Sequence, residues 1–271
     1  MSVTLLSYAT KEYRLAQKLL NFTGKRNGAD KIISYSRNDL TKTEFYSRYK
    51  SILDQPRGAG YWLWKPYFIL ETLKNMQENE ILIYADAGLF IRKKLQPLIQ
   101  LAANENGIAL FYNYGKLSRY TKRDLFVEMK CDDPSYYNSP LIHANLQVYR
   151  KCPAAISFLE EVLSTCTTKE LITDAPNSCG LPDLPGFIDH RHDQSVFSLL
   201  AHQKKLRIFM DPSQMRVVDM DFQYGKGDLP HEGPAYDSVI YMHRYKNRQM
   251  LYLSADILKK IFRRKKKKSQ L

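Results

Sequence analysis

The chain contains no apolar run approaching the ~18–20 residues that a membrane-crossing helix needs, which excludes a helical membrane span. Its first residues, Met1–Tyr8, turn polar too soon for a signal peptide, so the polypeptide is expected to stay where it is made, in the cytoplasm. Cysteine is scarce. Cys131, Cys152, Cys166 and Cys179 share no CxxC or CxxH spacing, and free thiols are expected in place of a disulfide frame or a zinc site. No GK[ST] follows Gly58 or Gly60, so a nucleotide P-loop is excluded. Internal repeats and Gly/Ser- or Pro-rich linkers are also missing, which favours a single domain.

Acidic residues are in deficit, 28 against 41 Lys and Arg, and the net charge is +13. Eight of the cations lie in the last thirteen residues, from Lys259 to Lys268, and without them the charge falls to +5. Leu251, Leu253, Ile257, Leu258, Ile261 and Phe262 alternate with those cations. The pattern predicts a basic amphipathic helix over 255–268, in a tail of 251–271 that follows a domain of 1–250. Such an end suits an anionic membrane surface, which places the chain peripherally at the inner face of a membrane. A solvated basic tail would have the same composition. Nucleic acid is not expected as a partner, because the charge is terminal and no RRM, KH, helix-turn-helix or finger pattern occurs.

The remainder reads as alternating strands and helices. Strands are predicted at 3–8, 30–35, 80–84, 107–112, 141–149, 206–211 and 238–243, and helices at 11–22, 43–53, 64–76, 153–163 and 193–202. Gly24 and Gly28 punctuate the end of the first helix, and Asp193 reads as the residue that caps the last. This alternation argues an α/β fold with a mixed, mostly parallel sheet flanked by helices. The stretch 167–190, rich in Pro, Gly and Asp, is too long for a simple connector and reads as a functional loop.

Four segments carry candidate chemistry. Asp86 follows a predicted central strand beside the small Ala87 and Gly88; it can bind a cation or a sugar hydroxyl, or cap its own turn. Both tryptophans, Trp62 and Trp64, crowd with Arg57, Tyr61 and Lys65 around glycines at a helix entrance, either as a sugar and diphosphate site or as a core cluster. Asp189, His190, Arg191, His192, Asp193 and Gln194 precede an apolar helix. His190 and His192 fall on opposite faces of an extended segment, so they do not share a metal, and Asp193 and Gln194 are the better contacts for a reacting hydroxyl. Finally, His243, Arg244 and Lys246 close a late strand, where they suit a metal and phosphate oxygens or form only a basic surface turn.

In order, the tract GYWLWKP…YADAG…HDQS…HRYKN resembles nucleotide-sugar glycosyltransferases of the GT-A type. It is most like small bacterial and viral sugar transferases that modify surface polysaccharide or lipopolysaccharide, and more distantly like the lipopolysaccharide galactosyltransferases. The resemblance spans roughly residues 3–247. It implies a GT-A-like, Rossmann-like fold and transfer of a hexose from a UDP-sugar to a saccharide or lipid-linked acceptor. It also implies a site in which Lys65 fills the cation position and Asp86, Ala87 and Gly88 the Asp-x-Asp position. Tyr8 and Thr10 would lie near uracil; Arg57, Trp62, Arg244 and Lys246 would hold the donor; His190 and His192 would meet the acceptor. Asp193 and Gln194 would be catalytic, with Asp193 the base if the anomeric centre is inverted. Asp86 and His243 would bind Mn²⁺ or Mg²⁺. Gly88 departs from the pattern, since it stands where the second Asp belongs. That leaves two alternatives: a site that works without metal through Arg57, Lys65, Arg244 and Lys246, or an inactive relative that only binds the nucleotide-sugar.

Overall fold

The computed structural model describes residues 1–217 and 236–250. Its centre is a sheet whose strands are β1 (Val3–Ala9), β2 (Lys31–Ser36), β3 (Ile81–Ala85), β5 (Ile108–Lys116), β6 (Pro140–Ile142), β7 (Leu146–Arg150) and β8 (Ile208–Phe209). The order is β2-β1-β3-β7-β5-β6, with β8 paired to β5. A separate ribbon joins β4 (Leu89–Ile91) to β9 (Ile240–Met242). The predicted parallel character holds for β2, β1 and β3. It ends at β7, which runs antiparallel to both β3 and β5. The α/β class and mixed sheet are as expected, with parallel pairing at β2-β1-β3 and again where β8 joins β5.

β1 and β3 are buried throughout because both of their faces are covered, and apart from Thr4 and Ser7 their side chains are apolar or aromatic. Side chains alternate across a strand. Val3, Leu5, Ile81, Ile83 and Ala85 therefore share one core cluster with Leu20 of α1 (Arg14–Arg26). Leu6, Tyr8, Leu82 and Tyr84 enter the other, with α2 (Trp64–Lys74), α3 (Pro153–Cys166) and α4 (Asp193–Gln203). Helix α1 buries Ala16, Leu20 and Gly24, a stripe at four-residue spacing. Gly24 does not end the helix as predicted. A Cβ there would lie 2.2 Å from Leu5 Cδ2, so the glycine admits the β1 side chain.

Three further differences shape the cleft. The strand predicted over 141–149 is broken at His143-Ala-Asn145 into β6 and β7. The segment 238–243 leaves the main sheet for the ribbon with β4, which the sequence reading missed. The cap of α4 is His192, at φ +52, and Asp193 is already the first helical residue. The predicted C-terminal helix of 255–268 lies outside the described residues, as does the whole 251–271 tail.

Candidate active site

Strand β1 leads to β2 on one side, and the chain returns across it to β3 on the other. The carboxyl ends of β1 and β3 are thus a topological switch point, where open α/β sheets bind ligands. A cleft of about 590 Å³ opens there. Tyr8, Thr10, Arg57, Trp62, Lys65, Asp86, Ala87, Gly88, His190, His192, Asp193, Gln194, Arg244 and Lys246 all line it, whereas His243 does not.

At its floor the first turns of α2 and α4 meet the end of β3. Pro66 sits in the first turn of α2, where its missing N–H costs nothing, and the preceding Lys65 is directed inward. Lys65 is only 2% exposed, and its Nζ lies 2.7 Å from Asp193 Oδ2 and 3.6 Å from Asp86 Oδ1. Burial acts to lower the Lys65 pKa, but the two carboxylates outweigh it and leave the pKa raised. Burial pushes Asp193 up to about 6, against the pull of Lys65 and with help from the negative charge of Asp86. Tyr84, two residues before Asp86 on the same strand face, donates its hydroxyl to Asp86 Oδ1.

The aromatic wall stands on an unusual turn. Five consecutive residues, Gly58, Ala59, Gly60, Tyr61 and Trp62, have φ between +51 and +103. L-residues rarely string left-handed conformations together. Trp64 Nε1 donates to the Gly58 carbonyl at 2.9 Å and closes the turn. Tyr8 stacks on Trp64 with ring centroids 3.9 Å apart, and its buried hydroxyl has no partner among the described residues. Burial raises the Tyr8 pKa to about 12.

The loop that brings in α4 is held by its own histidines. His190 Nε2 donates to the Leu171 carbonyl at 2.9 Å, while Nδ1 faces the Lys122 amide at 3.4 Å. Burial drops its pKa to about 3. His192 Nδ1 donates to the Ile172 carbonyl at 2.7 Å and its ring stacks on Trp62. The expectation that these two rings meet an acceptor is corrected for His190, whose nitrogens are both directed at the backbone. His192 keeps only Nε2, which is buried and 3.8 Å from Asp174. Arg57 ties the same loop from outside, at 3.3 Å from Asp174 and 3.2 Å from Asp189.

The metal assignment also fails on the chemistry of its donors. His243 Nδ1 accepts the Tyr245 amide at 2.9 Å, which puts the proton of the neutral ring on Nε2 and leaves no lone pair there for a cation. That Nε2 is buried, and the residue is absent from the cleft wall. Asp86 Oδ1 is engaged by Lys65 and Tyr84, and Gly88 offers no side chain. Among the described residues no three of His, Cys, Asp and Glu converge on a common point.

Sequence reasoning missed the far wall. Asn113, His143 and Asn145 line it, and His143 Nε2 lies 3.1 Å from the buried Asp211, which accepts from Ser213 N and Oγ at 2.7 and 2.8 Å. The polar pair His143 and Asn145 between two apolar runs was the available clue. Gln194 Nε2 donates to Ile142 O at 2.8 Å and joins this wall to α4.

No protein-family model and no curated protein sequence matches the chain. Solved structures do, and they define the class: the chain has the fold of GT-A-type glycosyltransferases. Mouse xyloside xylosyltransferase 1, in its apo form, is similar at a TM-score of 0.51 and 12% identity, over 90% of this chain and 98% of that one. A glycosyltransferase involved in the glycosylation of the major capsid of PBCV-1 follows, at a TM-score of 0.45 and 11% identity over 92% and 98% of the two chains. Galactosyltransferase LgtC, solved with donor and acceptor sugar analogs, has a TM-score of 0.45 and 9% identity over 89% and 87%. The fold assignment rests on the first of these.

Proposed function

We propose that the chain is a glycosyltransferase that moves a hexose from a nucleotide-sugar, a UDP-sugar first, to a saccharide or glycolipid acceptor in surface polysaccharide, lipopolysaccharide or glycan synthesis. The observation that carries this reading is Lys65, buried between Asp86 and Asp193 at the switch-point cleft. A buried lysine that joins two strand-end and helix-start carboxylates has little reason to sit under a cleft unless the cleft handles a polar ligand.

The uracil ring belongs near Tyr8 and Thr10, where the free Tyr8 hydroxyl can take a polar partner. The diphosphate belongs at Asp86–Gly88 and the cationic rim. Transfer breaks the bond from anomeric carbon to phosphate oxygen; the electron pair leaves with the nucleoside diphosphate, and the acceptor hydroxyl attacks carbon and gives up its proton. Asp193, with a pKa near the working range, is the group placed to take that proton if configuration inverts. If configuration is retained, Asp193 and Gln194 line the reactive face of the sugar. The 251–271 tail is the part we assign to an anionic membrane surface, with a lipid-linked acceptor made at its cytoplasmic side; among the described residues no helix is long and apolar enough to cross a membrane.

Calorimetric titration with UDP, GDP, UDP-glucose and UDP-galactose tests the reading. Saturable binding of a UDP compound, with release of UDP from the sugar nucleotide, is the expected result. A folded sample that binds no nucleotide would overturn it.

A further inference from the structure

We infer that the donor diphosphate is held by the Arg244 guanidinium in the place where a divalent cation would otherwise stand. This rests on the reading of the cleft as a nucleotide-sugar site. The β4–β9 ribbon brings the chain at 243–244 directly onto Gly88, and the His243 and Arg244 amides both donate to the Gly88 carbonyl, at 2.9 and 3.1 Å. A Cβ at position 88 would lie 3.1 Å from Arg244 Cα, 3.4 Å from its N and 3.7 Å from its Cγ. A side chain at 88 would therefore press on the Arg244 backbone, and a second carboxylate would enter only if the 243–244 segment gave way by a few tenths of an ångström. Arg244 sits at φ +53, a conformation that a non-glycine residue keeps only where its surroundings hold it.

The other cations of the cleft are engaged. Lys65 holds Asp86 and Asp193, Arg57 holds Asp174 and Asp189, and Lys246 lies 2.8 Å from Glu12. Arg191 is 3.3 Å from Asp189. Arg244 lines the cleft with no carboxylate partner among the described residues. Its planar fork matches two phosphate oxygens at once, which an ammonium does not. The carboxylate that would repel a bare diphosphate, Asp86, is offset in part from below by Lys65, which it shares with Asp193, and accepts a hydrogen bond from Tyr84. Arg244 is thus the cleft cation left for phosphate oxygens among the described residues, while His243, whose Nδ1 accepts the Tyr245 amide, carries the proton of its neutral ring on Nε2.

The test is calorimetry of UDP binding to the full chain and to its Arg244→Ala and Arg244→Lys variants, each in EDTA and in Mn²⁺. Wild-type affinity is expected to agree within about threefold between the two buffers. Arg244→Ala should bind about 10–100-fold more weakly in both, as loss of a charge-assisted contact implies, with Arg244→Lys between. Because Arg244 is exposed, the melting temperature of the free variants should match wild type, so weaker binding is not unfolding. UDP binding that requires Mn²⁺, or an Arg244→Ala variant that binds as wild type does, overturns this inference and leaves the transferase reading standing. No UDP bound by folded wild type in either buffer overturns both.

Discussion

Lys65 shows how far one side chain can organise a site. Its ammonium has left water entirely, which costs several kcal/mol, and the return comes from two carboxylates delivered by different elements. Removing it would strand Asp193 in the core. We expect Lys65→Met to lose about 3–5 kcal/mol in denaturant unfolding, with part recovered when Asp193→Asn is added to it. Unchanged stability in the single variant would show that the pair is not coupled. Asp193 also sets a pH dependence. Its folded pKa of about 6 lies above the ordinary 3.8, so the fold binds its proton more tightly than the unfolded chain does. Its contribution to stability is complete below about pH 4 and is lost as pH rises through 6. As a base it works in the opposite sense, ionised only above that range. Transferase activity should climb through pH 6 to a plateau, and Asp193→Asn should flatten that limb while lowering turnover by about 10²–10⁴-fold. A variant within tenfold of wild type would remove Asp193 from the base role. Asp86, Lys65 and Asp193 are all visible in the sequence as candidates; that they meet is not, because nothing in residue spacing says that α2 and α4 begin at the same strand end. His190 and His243 mislead for a related reason. A histidine in a polar motif looks the same whether its nitrogens face a cleft or a backbone amide or carbonyl, and here the backbone engages both nitrogens of His190 and Nδ1 of His243.

At the level of elements, long periodic segments were readable and strained ones were not. β1, α2, α3 and α4 follow their apolar pattern to within a few residues. The break at His143-Ala-Asn145 and the β4–β9 ribbon are set by contacts distant in sequence, whereas the left-handed turn at 58–62 is held by near neighbours, Trp64 Nε1 on the Gly58 carbonyl and Leu53 against Gly60. Glycine-rich composition at 58–60 predicts a loop, and does not predict that Ala59, Tyr61 and Trp62 join the glycines at positive φ. Two glycines separate the effects of backbone and space. At Gly60 a Cβ would lie 2.6 Å from Leu53 Cα, and φ is +103; at Gly186, φ is +83 with nothing within 4 Å. Gly60→Ala should therefore cost about 2–4 kcal/mol and weaken UDP binding as the turn shifts Trp62 and Arg57. Gly186→Ala should cost about 1 kcal/mol and leave binding alone. Equal melting temperatures for the two variants would contradict the packing at Gly60.

For the molecule as a whole, the distribution of charge matters more than its sum. Lys and Arg outnumber Asp and Glu by thirteen, yet the cations of the cleft are mostly spent on its own carboxylates. The excess lies in the tail, eight cations in thirteen residues beside Ile257, Leu258, Ile261 and Phe262. The two core clusters of the described residues draw on residues no later than Ile240, with Met242 packed against them. Each Lys or Arg near an anionic bilayer is worth ~1 kcal/mol, and screening limits that gain to about a Debye length, near 8 Å at physiological salt. Deleting 251–271 should then leave the melting temperature within about 2 °C and UDP binding unchanged, while sedimentation with phosphatidylserine vesicles is lost. Intact protein should bind those vesicles, release them in high salt, and ignore neutral ones. A truncated chain that still sediments with anionic vesicles would move the membrane contact into the folded domain, and an intact chain that prefers oligonucleotide to vesicles would give the tail to nucleic acid instead.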